Sequence, residues 1–178
     1  CKDQRLYEIE IPCGMCVECR KAKAREWSIR LQEELKRDTY LNGEKQTPLF
    51  VTLTFSDEKA KELSEKYNII DLNDLASKAV RLMMKRFIKK NKVAFKHWFI
   101  TELGEQNGRL HLHGFIWLNI NQENLAKLWS YGFVKIGEYV SPASVNYMTN
   151  YSLKIDLQHA YYKPKVCSTS GIGENYIT

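Results

Sequence analysis

The stretch from Trp98 to Trp117 reads WFITELGEQNGRLHLHGFIW, and it decides the fold of the chain. Its two ends are apolar runs of strand type, and the segment between them, Gly104 to Arg109, has the polar, glycine-containing composition of a turn. Two strands joined by so short a connection pair antiparallel. The stretch therefore predicts a β-hairpin.

The second strand of this hairpin carries two histidines, His111 and His113, one residue apart. Alternate residues of a strand point to the same face, so both imidazoles are expected on one side of the sheet. If the hairpin pairs Leu103 with Leu110, Glu102 lies directly opposite His111 and shares its face. Two neutral imidazoles and one carboxylate then form an open site for a divalent metal ion.

The rest of the chain mixes strand and helix patterns. Strands are predicted over 49–55, 95–103, 110–118 and 133–140, and helices over 20–37, 72–90 and 122–131. A further helix opens at Ser141-Pro142, and 57–68 is a surface excursion or a short helix. The 178 residues, 44% of them apolar, fit one α+β domain over 1–178 with a Cys-rich, basic helical extension at about 1–40.

The charge of the chain favours a polyanionic partner, since the net charge is +6 and the pI is near 9.0. Between Leu75 and Thr101 there are eight positive charges and no acidic residue. This one-sign patch indicates a phosphate backbone nearby, with an ordinary basic surface as the alternative. The candidate DNA contacts are Arg81, Lys85, Lys89, Arg109 and Thr54. No apolar run approaches membrane-spanning length.

Three of the five cysteines, Cys13, Cys16 and Cys19, form a cluster. Such an odd, clustered set favours metal binding in a reducing cytosol over a disulfide framework. Three thiolates at this spacing can bind one zinc ion, and Cys1, Cys167 or a histidine could supply the fourth ligand that a closed site normally has. The alternative is a helix start in which small cysteines simply pack.

The helix that follows Pro142 carries Tyr147, Tyr151 and Lys154 along one face. Tyrosines at helical spacing usually pack in a core or an interface, and a tyrosine hydroxyl with its ordinary pKa of about 10 is a weak nucleophile at neutral pH. Beside a metal-bound phosphate and a lysine, its oxygen needs only correct placement and partial loss of its proton in the transition state. The histidine site therefore gives these tyrosines a candidate catalytic role.

Three motifs, in this order along the chain, resemble those of HUH endonucleases of the replication-initiator type. They are Phe50-Val51-Thr52-Leu53-Thr54-Phe55, His111-Leu112-His113 and Tyr147-x-x-x-Tyr151-x-x-Lys154. Two further segments are similar to the initiators of microviruses, which are small phages with single-stranded DNA. These are Pro12-Cys13-Gly14-x-Cys16-x-x-Cys19-Arg20 followed by Trp27 and Arg30, and Ser170-Gly171-Ile172-Gly173.

The resemblance implies a central antiparallel sheet of four to five strands, flanked by helices, with the metal on the sheet and the tyrosine helix beside it. It implies that His111 and His113 are ligands of Mg²⁺ or Mn²⁺. A carboxylate upstream of the histidines completes such sites, and Glu102 fits this position, with Glu105 in the turn as its rival.

The resemblance also implies an activity. Tyr147 and Tyr151 would act as nucleophiles that nick single-stranded or supercoiled origin DNA, leaving a 5′-phosphotyrosine link and a free 3′-hydroxyl, while Lys154 steadies the scissile phosphate. The strand can be rejoined from that link, as rolling-circle replication requires. Such a protein works in the cytoplasm of a bacterial host with a host helicase or polymerase, although no segment of the chain identifies either partner.

Two other functions remain open at this point. One is a non-catalytic sheet that binds single-stranded nucleic acid, with Phe50, Phe115 or Trp117 stacking on bases and a zinc knuckle at 13–19. The other is a single-tyrosine transposase of the same superfold, in which only one of the two tyrosines matters. A covalent protein–DNA adduct separates the first of these from a nuclease.

Overall fold

The computed structural model describes residues 12–13, 16–104, 107–137, 140–150 and 162–174. The strands are β1 (Thr39–Leu41), β2 (Glu44–Gln46), β3 (Pro48–Thr54), β4 (Lys96–Leu103), β5 (Leu110–Trp117), β6 (Val134–Ile136) and β7 (Val166–Ser168). The helices are α1 (Val17–Leu35), α2 (Asp57–Tyr67), α3 (Leu72–Asn91), α4 (Gln122–Trp129) and α5 (Pro142–Asn150). None of the helices in these ranges is both long and apolar enough to cross a membrane.

A five-stranded antiparallel sheet with the strand order β6-β3-β5-β4-β7 forms the centre of the protein. This confirms the predicted α+β class. The β4–β5 hairpin has the predicted register, because Leu103 pairs with Leu110 and Glu102 pairs with His111. At Gly114 a Cβ atom would lie 1.9 Å from the carbonyl oxygen of Trp98, so only glycine fits between these strands.

The two faces of the sheet carry different layers. Apolar residues such as Val51, Phe99 and Leu112 lie on one face and pack in one core with buried residues of α2, α3 and α4. The alternate residues lie on the other face, where Trp98 and Phe115 pack with α1 and α5. The histidines belong to this second face, since they alternate with the residues of the first core.

Several elements differ from their predicted bounds. Helix α4 ends at Trp129, because Ser130 adopts a left-handed conformation with φ of 56° and closes the helix. Strand β6 has three residues where the sequence predicts a strand over 133–140. A two-stranded hairpin, β1–β2, forms in a region that the sequence pattern predicts as a connector. Its turn is Asn42-Gly43 with φ of 50° and 83°, the dipeptide and geometry of a tight hairpin turn.

A buried carboxylate joins α1 to the sheet and to the turn near residue 173. Glu34 is 0% exposed, and its Oε1 lies 2.5 Å from the ammonium Nζ of Lys96 on β4. Its Oε2 accepts the backbone N–H of Gly173 at 2.9 Å. A Cβ atom on Gly173 would lie 2.6 Å from the carbonyl oxygen of Arg30, so the turn packs directly on α1. We call this arrangement the Glu34 clasp.

His97 on β4 gives the stability of the fold a pH dependence. The side chain is 8% exposed, its Nδ1 lies 2.9 Å from the Oγ1 of Thr169, and burial lowers its pKa from 6.5 to about 4. Below pH 6.5 the unfolded chain therefore takes up a proton that the folded chain does not bind. The free energy of unfolding should fall by about 2 kcal/mol between pH 6.5 and pH 5, and this contribution should be constant above pH 6.5.

Urea unfolding at pH 7, 6 and 5 measures this dependence. A His97→Gln variant removes the titrating group, so its loss of stability over the same interval should be smaller by that amount. Equal pH dependence in the two proteins would contradict the assignment to His97.

Candidate functional site

The two histidines of β5 lie beside a pair of threonines on the neighbouring strand β3. His111 pairs with Thr54 and His113 pairs with Thr52 in the strand register. The Nδ1 atom of His111 lies 2.9 Å from the Oγ1 of Thr54, and the Nδ1 atom of His113 lies 3.0 Å from the Oγ1 of Thr52. Each hydroxyl can accept an Nδ1–H, a tautomer that leaves the Nε2 lone pair for a metal ion.

The carboxylate of Glu102 on β4 contacts the site from the other side. Its Cα is paired with that of His111, but its Oε2 lies 2.9 Å from the Nε2 of His113. The contact therefore runs diagonally between the strands, within the reach of a long side chain. The side chains are partly buried, with 18% of His113 and 21% of Glu102 exposed.

The electrostatics of the site keep His111 neutral at pH 7. Burial and the neighbouring His113 lower the pKa of His111, and Arg109 adds to this, whereas Glu102 opposes it. A neutral imidazole is the form that binds metal ions.

Gly104 gives the ring of His111 its space. It stands two residues beyond Glu102, and a Cβ atom at this position would lie 2.7 Å from the Nε2 of His111. Any other residue would crowd the atom that is left to bind a ligand. The sequence analysis assigned Gly104 only to the turn, and the pairing of its position with a histidine ring becomes visible only in the structure.

The donor set suits a divalent metal ion, since it combines two imidazole nitrogens with one carboxylate. Its atoms are not drawn together as closely as those of the cysteine cluster. Among the described residues, only Cys13, Cys16 and Cys19 form a group of three whose ligand atoms all lie within 4.8 Å of one another. The histidine site is therefore open, with Glu102 in contact with one of the two imidazoles.

Helix α5, which carries Tyr147, lies on the same face of the sheet as the histidines. Its Val145 and Met148 are buried in one cluster with Ile100 and Phe115, each of which stands two residues along its strand from a site residue. Tyr147 points away from this cluster and is 61% exposed. The Oδ1 of Asn146, the residue before Tyr147, is also held by α1, accepting from Ser28 at 2.6 Å and Gln32 at 3.0 Å. Tyr147 thus stands on an anchored helix on the face of the candidate site.

Three of the predicted site residues, Glu105, Tyr151 and Lys154, lie outside the described residues. Their roles stay predictions.

The predicted DNA contacts occupy different places in the structure. Arg81, Lys85 and Lys89 lie on α3, which covers the face of the sheet opposite to the histidines. Arg109 lies next to the site but forms a two-point ion pair with Asp57, with distances of 3.1 and 2.9 Å, which also lowers the pKa of that carboxyl. The hydroxyl of Thr54 contacts His111, so Thr54 belongs to the histidine site.

The cysteine cluster lies at the start of α1. The backbone N–H of Cys16 donates to the Sγ of Cys13 at 3.2 Å, and that of Cys19 donates to the Sγ of Cys16 at 3.4 Å. The structure shows that the three sulfur atoms converge closely enough to hold a metal such as zinc. Cys167 cannot complete this set, because its Sγ lies 3.5 Å from the Oγ of Ser77 on α3, across the sheet from α1.

Comparison with known proteins places this sheet and its site in a family. A family model that describes replication-associated proteins of the ORF2 type matches residues 48–156, more than half of the 178 residues. The chain belongs to this family. The match begins at β3 and includes both histidines, Glu102 and all of α5.

Two curated relatives are similar to the chain. The replication-associated protein ORF2 of Spiroplasma virus 4 is 27% identical over 166 residues, which cover 81% of this chain and 48% of that protein. The replication-associated protein VP4 of Bdellovibrio phage phiMH2K is 24% identical over 169 residues, which cover 85% of this chain and 50% of that protein. The chain thus spans about half the length of both relatives. No solved structure matches it significantly. The resemblance to microvirus initiators is confirmed.

Proposed function

We propose that the chain is a metal-dependent, site-specific endonuclease and ligase for single-stranded DNA that initiates rolling-circle replication. One observation carries this proposal: in a member of a replication-associated family, two histidines and a glutamate meet on the sheet face on which the tyrosine helix packs. The resemblance to HUH endonucleases supplies the chemistry that this geometry supports.

The side chains divide the reaction between them. Nε2 of His111, Nε2 of His113 and the carboxylate of Glu102 would hold Mg²⁺ or Mn²⁺, which when bound polarises the scissile phosphate. The hydroxyl oxygen of Tyr147 attacks the phosphorus, forms the phosphotyrosine bond and breaks the bond to the 3′-oxygen. That oxygen takes up a proton to become a free 3′-hydroxyl, while the tyrosine proton leaves to solvent. Lys154 balances charge on the phosphate.

The second tyrosine would make the reaction repeatable. The energy of the broken phosphodiester is kept in the phosphotyrosine link, so a 3′-hydroxyl can attack it and rejoin the strand. With Tyr147 and Tyr151 four residues apart, one can hold a DNA end while the other cuts again. A protein with a single functional tyrosine, such as a transposase of this superfold, lacks this alternation.

A covalent-adduct assay tests the proposal. The chain is incubated with labelled single strands tiled across the genome that encodes it, with Mn²⁺ or Mg²⁺, and separated on a denaturing gel. We expect an adduct with one strand, absent when EDTA is added. Retained DNA binding without any adduct would instead support the non-catalytic binding sheet.

Tyrosine variants identify the nucleophile. Combined Tyr147→Phe and Tyr151→Phe replacement should abolish the adduct, and each single replacement should leave part of it. Tyr40→Phe is a matched control, because Tyr40 is an exposed tyrosine on the β1–β2 hairpin. If one single variant loses all cleavage and the other loses none, the alternating scheme is wrong.

We also propose that Cys13, Cys16 and Cys19 bind a structural zinc ion at the start of α1. Their thiolate charge would be stabilised by the two N–H···S bonds and by the positive end of the α1 dipole. A fourth ligand would come from water or from residues outside the described ranges. Elemental analysis should give one zinc per chain, and Co²⁺ should produce a thiolate charge-transfer band. Cys16→Ser should lose both signals, whereas Cys167→Ser should keep them. A native protein free of zinc that does not bind Co²⁺ would reject this site.

We further propose that residues 1–178 act as one HUH endonuclease domain with an N-terminal helical extension, in the cytoplasm of a bacterial host. Its DNA substrate is the single-stranded or supercoiled origin, and a host helicase or polymerase would extend the free 3′-hydroxyl. Co-purification from infected cells with and without DNase treatment tests for such a partner.

A further inference from the structure

The strand register extends the histidine face to the sheet edge formed by β6. Thr52 is paired with His113 on one side and with Lys135 of β6 on the other. Thr54 is paired with His111, and its backbone N–H donates to the carbonyl oxygen of Phe133 at 2.8 Å. Opposed residues of antiparallel strands share a face, so Phe133 and Lys135 lie on the same side of the sheet as the two histidines.

Phe133 is an exposed aromatic residue on a fixed backbone. Its side chain is 70% exposed, although burial of a phenylalanine would stabilise the fold. The residue before it, Gly132, approaches the neighbouring chain so closely that a Cβ atom would lie 2.2 Å from the carbonyl oxygen of Thr54. On the preceding side, the carbonyl oxygen of Tyr131 accepts the N–H of Ser56 at 2.9 Å. The sheet therefore holds the ring of Phe133 out to solvent.

A second anchor holds the loop that leads to Phe133. The guanidinium of Arg86 donates to the carbonyl oxygens of Leu128 and Trp129 at 2.8 and 3.0 Å and to the hydroxyl of Tyr131 at 2.9 Å. The loop is thus tied to α3 as well as to β3. A preorganised aromatic platform loses little conformational entropy when a ligand stacks on it.

Lys135 places a positive charge next to this ring. It is exposed on the middle of β6, and no carboxylate in the described ranges forms an ion pair with it. By contrast, Arg109 and Lys96 on the same hairpin are both paired, with Asp57 and Glu34. A lysine without an acidic partner beside an exposed ring matches the two parts of a nucleotide, its phosphate and its base.

We propose that Phe133 and Lys135 form a binding subsite for single-stranded DNA, in which a base stacks on the ring and a phosphate contacts the ammonium group. This subsite rests on the proposed nuclease function and adds a route for the strand, from the β6 edge across β3 to the histidines. Two strand spacings separate Phe133 from His111, about 10 Å. About three nucleotides of stacked single strand span that distance.

Fluorescence anisotropy with a labelled random-sequence single strand, in EDTA so that nothing is cut, tests the subsite. Phe133→Ala should weaken binding about 5- to 100-fold, the range for loss of one stacked base, and Phe133→Trp should restore it. Lys135→Ala should lower the slope of log affinity against log salt by about 0.7, the value for one phosphate contact on a single strand. Phe133→Ala should leave that slope unchanged.

Matched controls are Tyr40→Ala, an exposed aromatic on β1, and Lys61→Ala, an exposed lysine on α2. Neither should change the affinity beyond twofold. A chain that binds the strand equally well with Phe133→Ala would overturn the subsite and leave the nuclease proposal standing, because the adduct assay tests that separately. Failure of the unaltered chain to bind any single strand would overturn both.

Discussion

Replacement of Thr54 by valine is expected to weaken divalent-metal binding at the histidine site by about 10- to 100-fold, the usual cost of losing a group that orients a ligand. Valine has nearly the shape of threonine but removes the oxygen that lies 2.9 Å from the Nδ1 of His111. Without this acceptor, the imidazole can take the tautomer that carries its proton on Nε2. Thr52→Val should act in the same way on His113. Titration with Mn²⁺, followed by the loss of its free-ion EPR signal, measures the affinity.

Thr47→Val is the matched control for these variants. Thr47 lies just before β3, where its hydroxyl donates to the Oδ1 of Asn119 at 2.8 Å, away from both histidines. Its metal affinity should equal that of the unaltered chain. If Thr54→Val and Thr47→Val bind Mn²⁺ equally well, the threonines do not orient the imidazoles.

Replacement of Lys96 by methionine is expected to lower the free energy of unfolding by about 3–5 kcal/mol, the typical cost of leaving a buried charge without its partner. Methionine keeps most of the aliphatic packing of lysine, but the fully buried carboxylate of Glu34 loses its cation. Urea unfolding at pH 7 measures the effect.

The neutral partner gives the test of this prediction. Glu34→Gln removes the buried charge and keeps an oxygen that can accept the N–H of Gly173. The double variant, Lys96→Met with Glu34→Gln, should therefore lose less stability than the sum of the two single variants. Strict additivity would show that the pair is not coupled.

The sequence predicts most of the candidate site because strand alternation and hairpin register are local properties. The pairing of Glu102 with His111 follows from two apolar runs and a turn, and the structure has that register. It does not give the direction in which the glutamate side chain leans, and the structure places its carboxylate on His113. The Thr-x-Thr pattern at 52 and 54 matches the His-x-His spacing, but only the pairing of β3 with β5 makes the four side chains partners.

Other features depend on contacts distant in sequence and could not be predicted. The apolar periodicity of α3 shows that the helix is amphipathic, but not which face of the sheet it covers. Its basic residues consequently lie across the sheet from the histidines, although the charge pattern alone assigned them to the DNA strand. The hairpin β1–β2 had a usable signal, the dipeptide Asn42-Gly43, within a short polar segment.

The Glu34 clasp has a consequence for the making of the protein. Glu34 and Gly173 are 139 residues apart in the chain. At a ribosomal rate of about 5–20 residues per second, synthesis reaches the second partner roughly 7–28 s after the first. During this interval the apolar side of α1, with Leu31 and Trp27, has no turn to close over it. The nascent chain therefore presents an apolar helix to chaperones until the turn at Gly173 has been made.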